Sequence, residues 1–460
     1  MKRPGELALV LHTHMPYVEG FGTWPFGEEW LWEAIATSYV PLLDVLGRAA
    51  MTVSLTPVLC DQLEAPGAIE RCLRWLREVR PESHRLDIES LRSAGEDVLA
   101  AELERSAAEY AAVADRLEAM GGDLLNALAP HASWTSAATH AVLPLLATDA
   151  GVALQVETGI ASHRRRFGHW SGGFWLPECA HAPWLDGLLE DCGVHSMCVE
   201  LTDAFGLGAP EHLRPLVTDE GPVLWPIDRQ SIALVWSDGG YPAAGAYRDY
   251  HHHTEHRHRA WGNDGSAYDH GVARALAREH AADFVARVRS RVREGGVCVV
   301  ALDTELLGHW WYEGVAWLEA VLDEAASQGL ALANLDEALG RQEPAPASPI
   351  LPETTWGRGG DLSTWSAPGV ADLAWQARTA ELAVIRAGGR APARAVRELL
   401  ALQASDWAFL ATRELAGDYP RERMGGHADA LARALSGADA GALEGTVRNL
   451  APDLIVREWL

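Results

Sequence analysis

Short apolar runs bounded by turn residues alternate with stretches of helical period along most of the chain, the pattern of an α/β barrel of parallel strands. Residues 7–11 read as a first strand, 30–48 as a helix and 51–59 as a second strand. From about 62 to 120 the pattern changes to long helical stretches rich in Glu, Arg and Ala, with a break at Pro81, which predicts a helical insertion after the second strand. The strand pattern resumes near Trp134 and continues through 173–176, 195–201 and 297–302 to a last run at 330–335. Between 241 and 269 lies a polar stretch rich in His and Gly with little periodicity, and long loops inside compact domains are usually functional or mobile. Residues 342–352, rich in Pro and Ala, read as a linker, and 371–386, 393–411 and 425–435 read as amphipathic helices. The expected division is a barrel in two parts, 1–61 and 123–341, a helical insertion at 62–122, and a helical C-terminal domain at 353–460 that contributes to the cleft.

Composition narrows the partners. The 460 residues carry a formal net charge of -26, and Lys2 is the only lysine, so no basic stripe exists to hold a polyanion. Nucleic acid and anionic membrane are excluded as expected partners. The run at 7–11 is too short for a secretory signal, no apolar run approaches the roughly 20 residues of a membrane span, and the six cysteines form no CxxC pair. A cytoplasmic location is expected. Tryptophan is the unusual count, 19 against 7 Phe and 9 Tyr. A buried indole must find a partner for its N–H, so core packing alone would draw more on Phe, and some of these rings are expected to face sugar rings.

Two carboxylates stand out, Glu178 in Gly173-Phe-Trp-Leu-Pro-Glu-Cys-Ala and Asp303 in Val299-Val-Ala-Leu-Asp-Thr-Glu. Each follows an apolar strand-like run among tryptophans, as sugar-bond chemistry requires: one acid attacks or stabilises the anomeric carbon and the other moves the proton. Read from residues alone, Glu178 is as readily an acidic helix start after Pro177, favoured there by the dipole. Glu305 could equally be the acid, with Asp303 capping a turn. His12 and His14 are two apart on an extended segment and share a face of strand one. That invites a metal reading, since such a pair with a late-strand Asp also describes metal-dependent amidohydrolases. Those barrels often bridge their metals with a carbamylated lysine, and none is available after position 2. No metal and no cofactor are therefore expected. The run His251, His252, His253, His256 and His258 reads as a solvated loop before a metal tract.

The two acidic segments, together with His12-Thr-His-Met-Pro-Tyr17, resemble the signature regions of glycoside hydrolase family 57, specifically its α-1,4-glucan branching enzymes, over most of the chain. The resemblance implies a distorted (β/α)7 barrel with a helical insertion and a helical C-terminal domain. It implies Glu178 as nucleophile and Asp303 as general acid/base of a retaining transfer between α-1,4-glucan donor and acceptor chains. It further implies sugar contacts at His12, His14, His140, His309 and Trp310, and, in the manner of the branching enzymes, at Trp24, Trp30, Tyr241, Arg259, Trp261, Trp356, Trp365, Asp406 and Trp407. Departures are Leu307 where relatives have Phe, and Ala243-Ala244 after Gly240-Tyr-Pro where they have Gly-Asp. The rivals are a 4-α-glucanotransferase or α-amylase-type hydrolase of the same family, and a metal-dependent hydrolase.

Overall fold

The structure is a computed structural model that describes residues 5–23, 25–218, 221–347, 351–437 and 449–455. Its ten strands are β1 (Glu6–Thr13), β2 (Thr52–Leu55), β3 (Ala132–Ser136), β4 (Gly173–Trp175), β5 (Ser196–Val199), β6 (Leu216–Val217), β7 (Val223–Pro226), β8 (Val297–Asp303), β9 (Ala331–Leu332) and β10 (Ala345–Pro346). Their order is β10-β6-β7-β5-β4-β3-β2-β1-β8, with β9 beside β1. The run from β7 to β8 is parallel throughout, which makes seven parallel strands in a curled sheet. Its two ends meet at one backbone hydrogen bond, from Asp228 N–H to the Val299 carbonyl (2.8 Å), so the sheet is a distorted and barely closed (β/α)7 barrel.

The continuous apolar strands are the ones enclosed on both faces. Leu7 through Leu11 and Val297 through Val300 are wholly buried. In the register β1 to β8, His12 lies opposite Asp303, and β1 to β2 puts His12 opposite Ser54. The sequence thereby delivers polar groups to the C-terminal rim of the barrel just where the apolar runs stop, the face on which such barrels carry their chemistry.

Several expected boundaries move. Residues 57–63 are a helix, Pro57–Leu63, so the second strand is four residues long. Pro81 does not end the helix: the run continues from Ala68–Arg74 through a π-turn, Trp75–Val79, into Arg80–Ser93, with Pro81 just past the π-turn, where the widened ladder accommodates the missing N–H. A second π-turn, Ile35–Tyr39, lies inside the helix from Glu29 to Leu46. The stretch read as a linker pairs instead with the sheet, β10 against β6. The helix expected over 393–411 is two, Ala393–Leu402 and Ser405–Thr412. Among the described residues no helix is long and apolar enough to cross a membrane.

Candidate active site

Five strand ends, those of β1, β2, β3, β4 and β8, and two later segments converge at the rim. After β4 the chain enters a turn in which Glu178 (φ 61°) and Cys179 (φ 48°) are both left-handed, a strained conformation for non-glycine residues that has to be held by its surroundings. The holding bonds are Cys179 N–H to Leu176 O (2.9 Å), Ala180 N–H to Pro177 O (3.0 Å), and Trp356 N–H to Glu178 O (3.1 Å). His181 and Thr354 form an antiparallel bridge beside them, so the 351–357 segment is laid across the turn. After β3, His140 is left-handed too (φ 59°) and its carbonyl accepts from Ser405 N–H (3.1 Å), next to an antiparallel bridge between Ala141 and Ala404. That bridge is why the helix expected over 393–411 is interrupted.

Glu178 is surrounded by donors. Its Oε2 accepts from the Trp356 indole N–H (3.0 Å) and its Oε1 from the Ser405 hydroxyl (2.9 Å). His140 Nδ1 lies 2.9 Å from Ser405 Oγ, His140 Nε2 lies 2.9 Å from His12 Nε2, and His12 Nδ1 lies 3.2 Å from Ser54 Oγ. The rings of His12, His14, His140 and Trp175 stack in one column. Burial pushes His12 and His140 well below the ordinary histidine range, so both are neutral. His14 differs: burial works against its charge, but Asp406 at 2.9 Å outweighs it, with help from Glu305 and Glu178, and raises its pKa.

The two acids sit in unlike surroundings. Burial raises Glu178, while Trp356, Ser405 and His14 favour its ionised form. Asp303 is held well above the usual carboxylate range by burial and then by the charges of Glu305 and Glu178. Among the described residues no hydrogen bond reaches its carboxyl. Glu305 is buried, accepts from Tyr39 O–H (2.6 Å) and from His14 N–H (3.1 Å), and is pushed up to about 7 by burial. Both carboxyls are thus raised, but Glu178 has two donors that favour its anion whereas Asp303 has none among the described residues, and such a difference in surroundings is what divides nucleophile from proton donor.

The remaining expected residues divide into groups. Arg259 lies over the Tyr250 ring (4.1 Å), Tyr250 packs edge-on to His309 (6.2 Å), and His309 adjoins Trp310 (6.0 Å). Burial, then Arg259, brings His309 down to about 4. Trp310 is exposed and meets Trp236, also exposed, at 5.7 Å. Trp261 stacks on His252 within the same loop (3.9 Å), and Trp30 packs edge-on to Tyr419 (6.3 Å). Tyr241 is turned to the helix His270–Arg291, with its hydroxyl on Asp283 (2.6 Å) and its ring on His280 (4.5 Å). Trp365 and Trp407 correct the expectation of a stacking wall: at 2% and 0% exposure they offer no face to a sugar and serve as anchors of the C-terminal helices. Trp24 lies outside the described residues.

The histidine-rich loop binds to the insertion. His256 pairs with Asp87 (2.7 Å), and His258 stacks on His84 (3.6 Å) while contacting Ser83 (3.0 Å). Among the described residues no three His, Cys, Asp or Glu side chains converge as a metal site. Sequence reasoning missed Ser54, Tyr39, Trp175 and the part played by Ser405. The Ser405-Asp-Trp segment was the only signal for Ser405, and its place in a helix pattern hid it.

Comparison with known proteins is specific. The model of glycosyl hydrolase family 57 matches residues 134–347, and that of the 1,4-α-glucan branching enzyme C-terminal region matches 374–452. A probable 1,4-α-glucan branching enzyme of Mycobacterium tuberculosis is 32% identical over 97% of this chain and 95% of its own. Among solved structures, a GH57-type branching enzyme of Pyrococcus horikoshii superposes with a TM-score of 0.90, at 29% identity, over 99% of this chain and 97% of that one. The GH57 branching enzyme of Thermococcus kodakaraensis in complex with glucose gives 0.88, also at 29% identity, over 99% and 96%.

Proposed function

This chain belongs to glycosyl hydrolase family 57, and on that premise we propose that it is a 1,4-α-glucan branching enzyme acting by a retaining double displacement. Glu178 attacks C1 of an α-1,4-linked glucosyl unit while Asp303 gives its proton to the departing O4; the C1–O4 bond breaks and a C1–Oε bond forms. Asp303, now ionised, takes the proton from the 6-hydroxyl of an acceptor chain, O6 attacks C1, and the ester to Glu178 breaks. The result is an α-1,6 branch, and Asp303 recovers its proton. The observation that carries this reading is the asymmetry of the two acids: two hydrogen bonds reach Glu178, and Asp303 faces two carboxylates.

His14, Trp356 and Asp406 are the substrate contacts nearest the nucleophile in this proposal; His12 and His140, expected to touch sugar, are at 1% and 3% exposure with both nitrogens of each ring bonded within the site, and stand behind these contacts instead. Arg259, Trp261, His309 and Trp310 hold glucan further along the rim, and Trp30 does so on the side of Tyr419. Tyr241 would reach the glucan only if its loop left Asp283. The likeness to branching enzymes, one of them solved with glucose, supports α-glucan as donor and acceptor. The setting we assign is cytoplasmic glycogen or α-glucan synthesis; six free thiols suit a reducing compartment. The test is incubation with amylose followed by proton NMR for α-1,6 linkages. New α-1,6 signal at the expense of α-1,4 supports the proposal, and shortened chains without α-1,6 signal would make the protein a hydrolase or 4-α-glucanotransferase.

A further inference from the structure

We propose that Ser405 is a positioning residue that connects a chain of hydrogen-bonded neutral groups, Ser54, His12 and His140, to Oε1 of Glu178 and so holds the nucleophile ionised and oriented; this rests on the role given to Glu178 above. The direction of every link follows from one fact. An ionised carboxylate only accepts, so the Ser405 hydroxyl must donate to Oε1 (2.9 Å). Having spent its single proton, Ser405 Oγ must accept from His140 Nδ1–H (2.9 Å). A neutral imidazole has one N–H, so His140 Nε2 is an acceptor, and the 2.9 Å contact to it requires the N–H of His12 Nε2. His12 Nδ1 is then an acceptor and takes the Ser54 hydroxyl proton (3.2 Å).

The two histidines cannot both be charged. Were His12 and His140 both protonated, two N–H groups would face each other across 2.9 Å. Burial keeps both rings neutral, and buried hydrogen bonds polarise one another along such a chain. The chain has a second arrangement with every bond reversed, which applies when Glu178 carries a proton and donates to Ser405. The state of one carboxyl therefore fixes the tautomers of two histidines: each ring and each hydroxyl still carries one proton, and the additional proton on Glu178 comes from solvent. Ser405 reaches the site through the Ser405 N–H to His140 O bond and the bridge of Ala141 with Ala404, so the ionised nucleophile depends on docking of the C-terminal helices. The other groups facing Glu178 are Trp356 from the 351–357 segment, His14 from β1, Asp406 beside Ser405, and Asp303 across the barrel mouth.

The experiment follows amylose chains by loss of iodine stain across pH, which reads donor cleavage whether or not the product is branched; α-1,6 linkages are counted separately by NMR. Failure of the branching reading would remove the NMR signal alone. Ionised Glu178 sets the acid limb of kcat/KM. Ser405→Ala deletes the donor that favours the anion, so the limb should move up by about one pH unit. In that variant kcat should fall about 10- to 100-fold at nearly constant KM, as for the loss of a hydrogen bond to a charged group. Ser405→Thr, which keeps the hydroxyl, should bring the limb back, and Ser54→Ala at the far end should move it in the same direction by less. An acid limb at the wild-type position in Ser405→Ala overturns the proposal. If that variant does not fold, Ser54→Ala decides: a limb that stays in place overturns it equally.

Discussion

Gly308→Ala should uncouple the turn that follows Asp303 from the helix that supports it. Gly308 has φ 98°, and a Cβ there would lie 1.8 Å from the Thr37 carbonyl oxygen and 2.8 Å from its carbon. Both atoms are backbone and cannot swing aside. Next to Thr37 stand Ser38, whose hydroxyl donates to Thr304 O (3.0 Å), and Tyr39, whose hydroxyl holds Glu305. Left-handed strain costs about 1–2 kcal/mol. Forcing a methyl into a packed site costs about 1–3 kcal/mol more. Over 460 residues, at about 2.1 cal/mol/K each, the unfolding entropy is about 1 kcal/mol/K, so a total of about 2–5 kcal/mol lowers Tm by about 2–5 °C. The activity should fall further than the stability, because a displacement of about 1 Å near the reacting groups can cost about 100-fold.

Gly329→Ala separates the two costs. Gly329 caps the helix Gly314–Gln328 at φ 68°, and an added Cβ there meets nothing within 4 Å. Only the conformational cost applies, so Tm should fall by about 1–2 °C with activity unchanged. The assay is a thermal melt beside amylose cleavage for both variants. Equal melts and equal activities for the two would show that the close approach of Gly308 to Thr37 plays no part, and the reasoning would fail.

How much of this was legible in the sequence depended on what each segment packs against. β1 and β8 were plain because both faces are buried, and the alternation of strand and helix was enough for a barrel. β6 and β7 were not, being two and four residues long with Pro226 ending the second, too short to carry a period. Pro81 read as a breaker because the pattern cannot show that a π-turn carries the helix past it. The gap at Gln403-Ala404 was hidden for the opposite reason: apolar residues recur at helical spacing on both sides, and only the bridge to Ala141 interrupts them. The acids were visible as residues, but the unlike surroundings on which their proposed roles rest were not, since Ser405, Trp356 and Glu305 come from distant points of the chain. Trp365 and Trp407 show the limit of composition. A tryptophan count suggests sugar stacking, but which rings keep a free face is decided by tertiary packing.

Three further outcomes are expected. Glu178→Gln and Asp303→Asn should each lose at least about a thousandfold in amylose cleavage with unchanged circular dichroism, since each removes a group of the covalent cycle; near-wild-type rates in either would undo its assignment. Trp365→Ala should melt lower, by about 3–5 kcal/mol of lost core packing, whereas Trp310→Ala should keep its stability and weaken glucan binding, by about 1 kcal/mol, in a titration with maltoheptaose; the reverse pattern would restore Trp365 as a sugar platform. Glu305→Gln tests the assignment of Asp303. An acid must carry its proton to work, so ionisation of Asp303 sets the alkaline limb of kcat/KM. Glu305, pushed up to about 7, is ionised above that pH, and its charge disfavours a second anion at Asp303. Glutamine removes the charge but keeps an oxygen for the Tyr39 hydroxyl. Asp303 should then lose its proton at lower pH, and the alkaline limb should move acidward by about one unit while the acid limb, which belongs to Glu178, changes less. An alkaline limb that stays in place would mean that Asp303 is not the group whose proton the reaction spends.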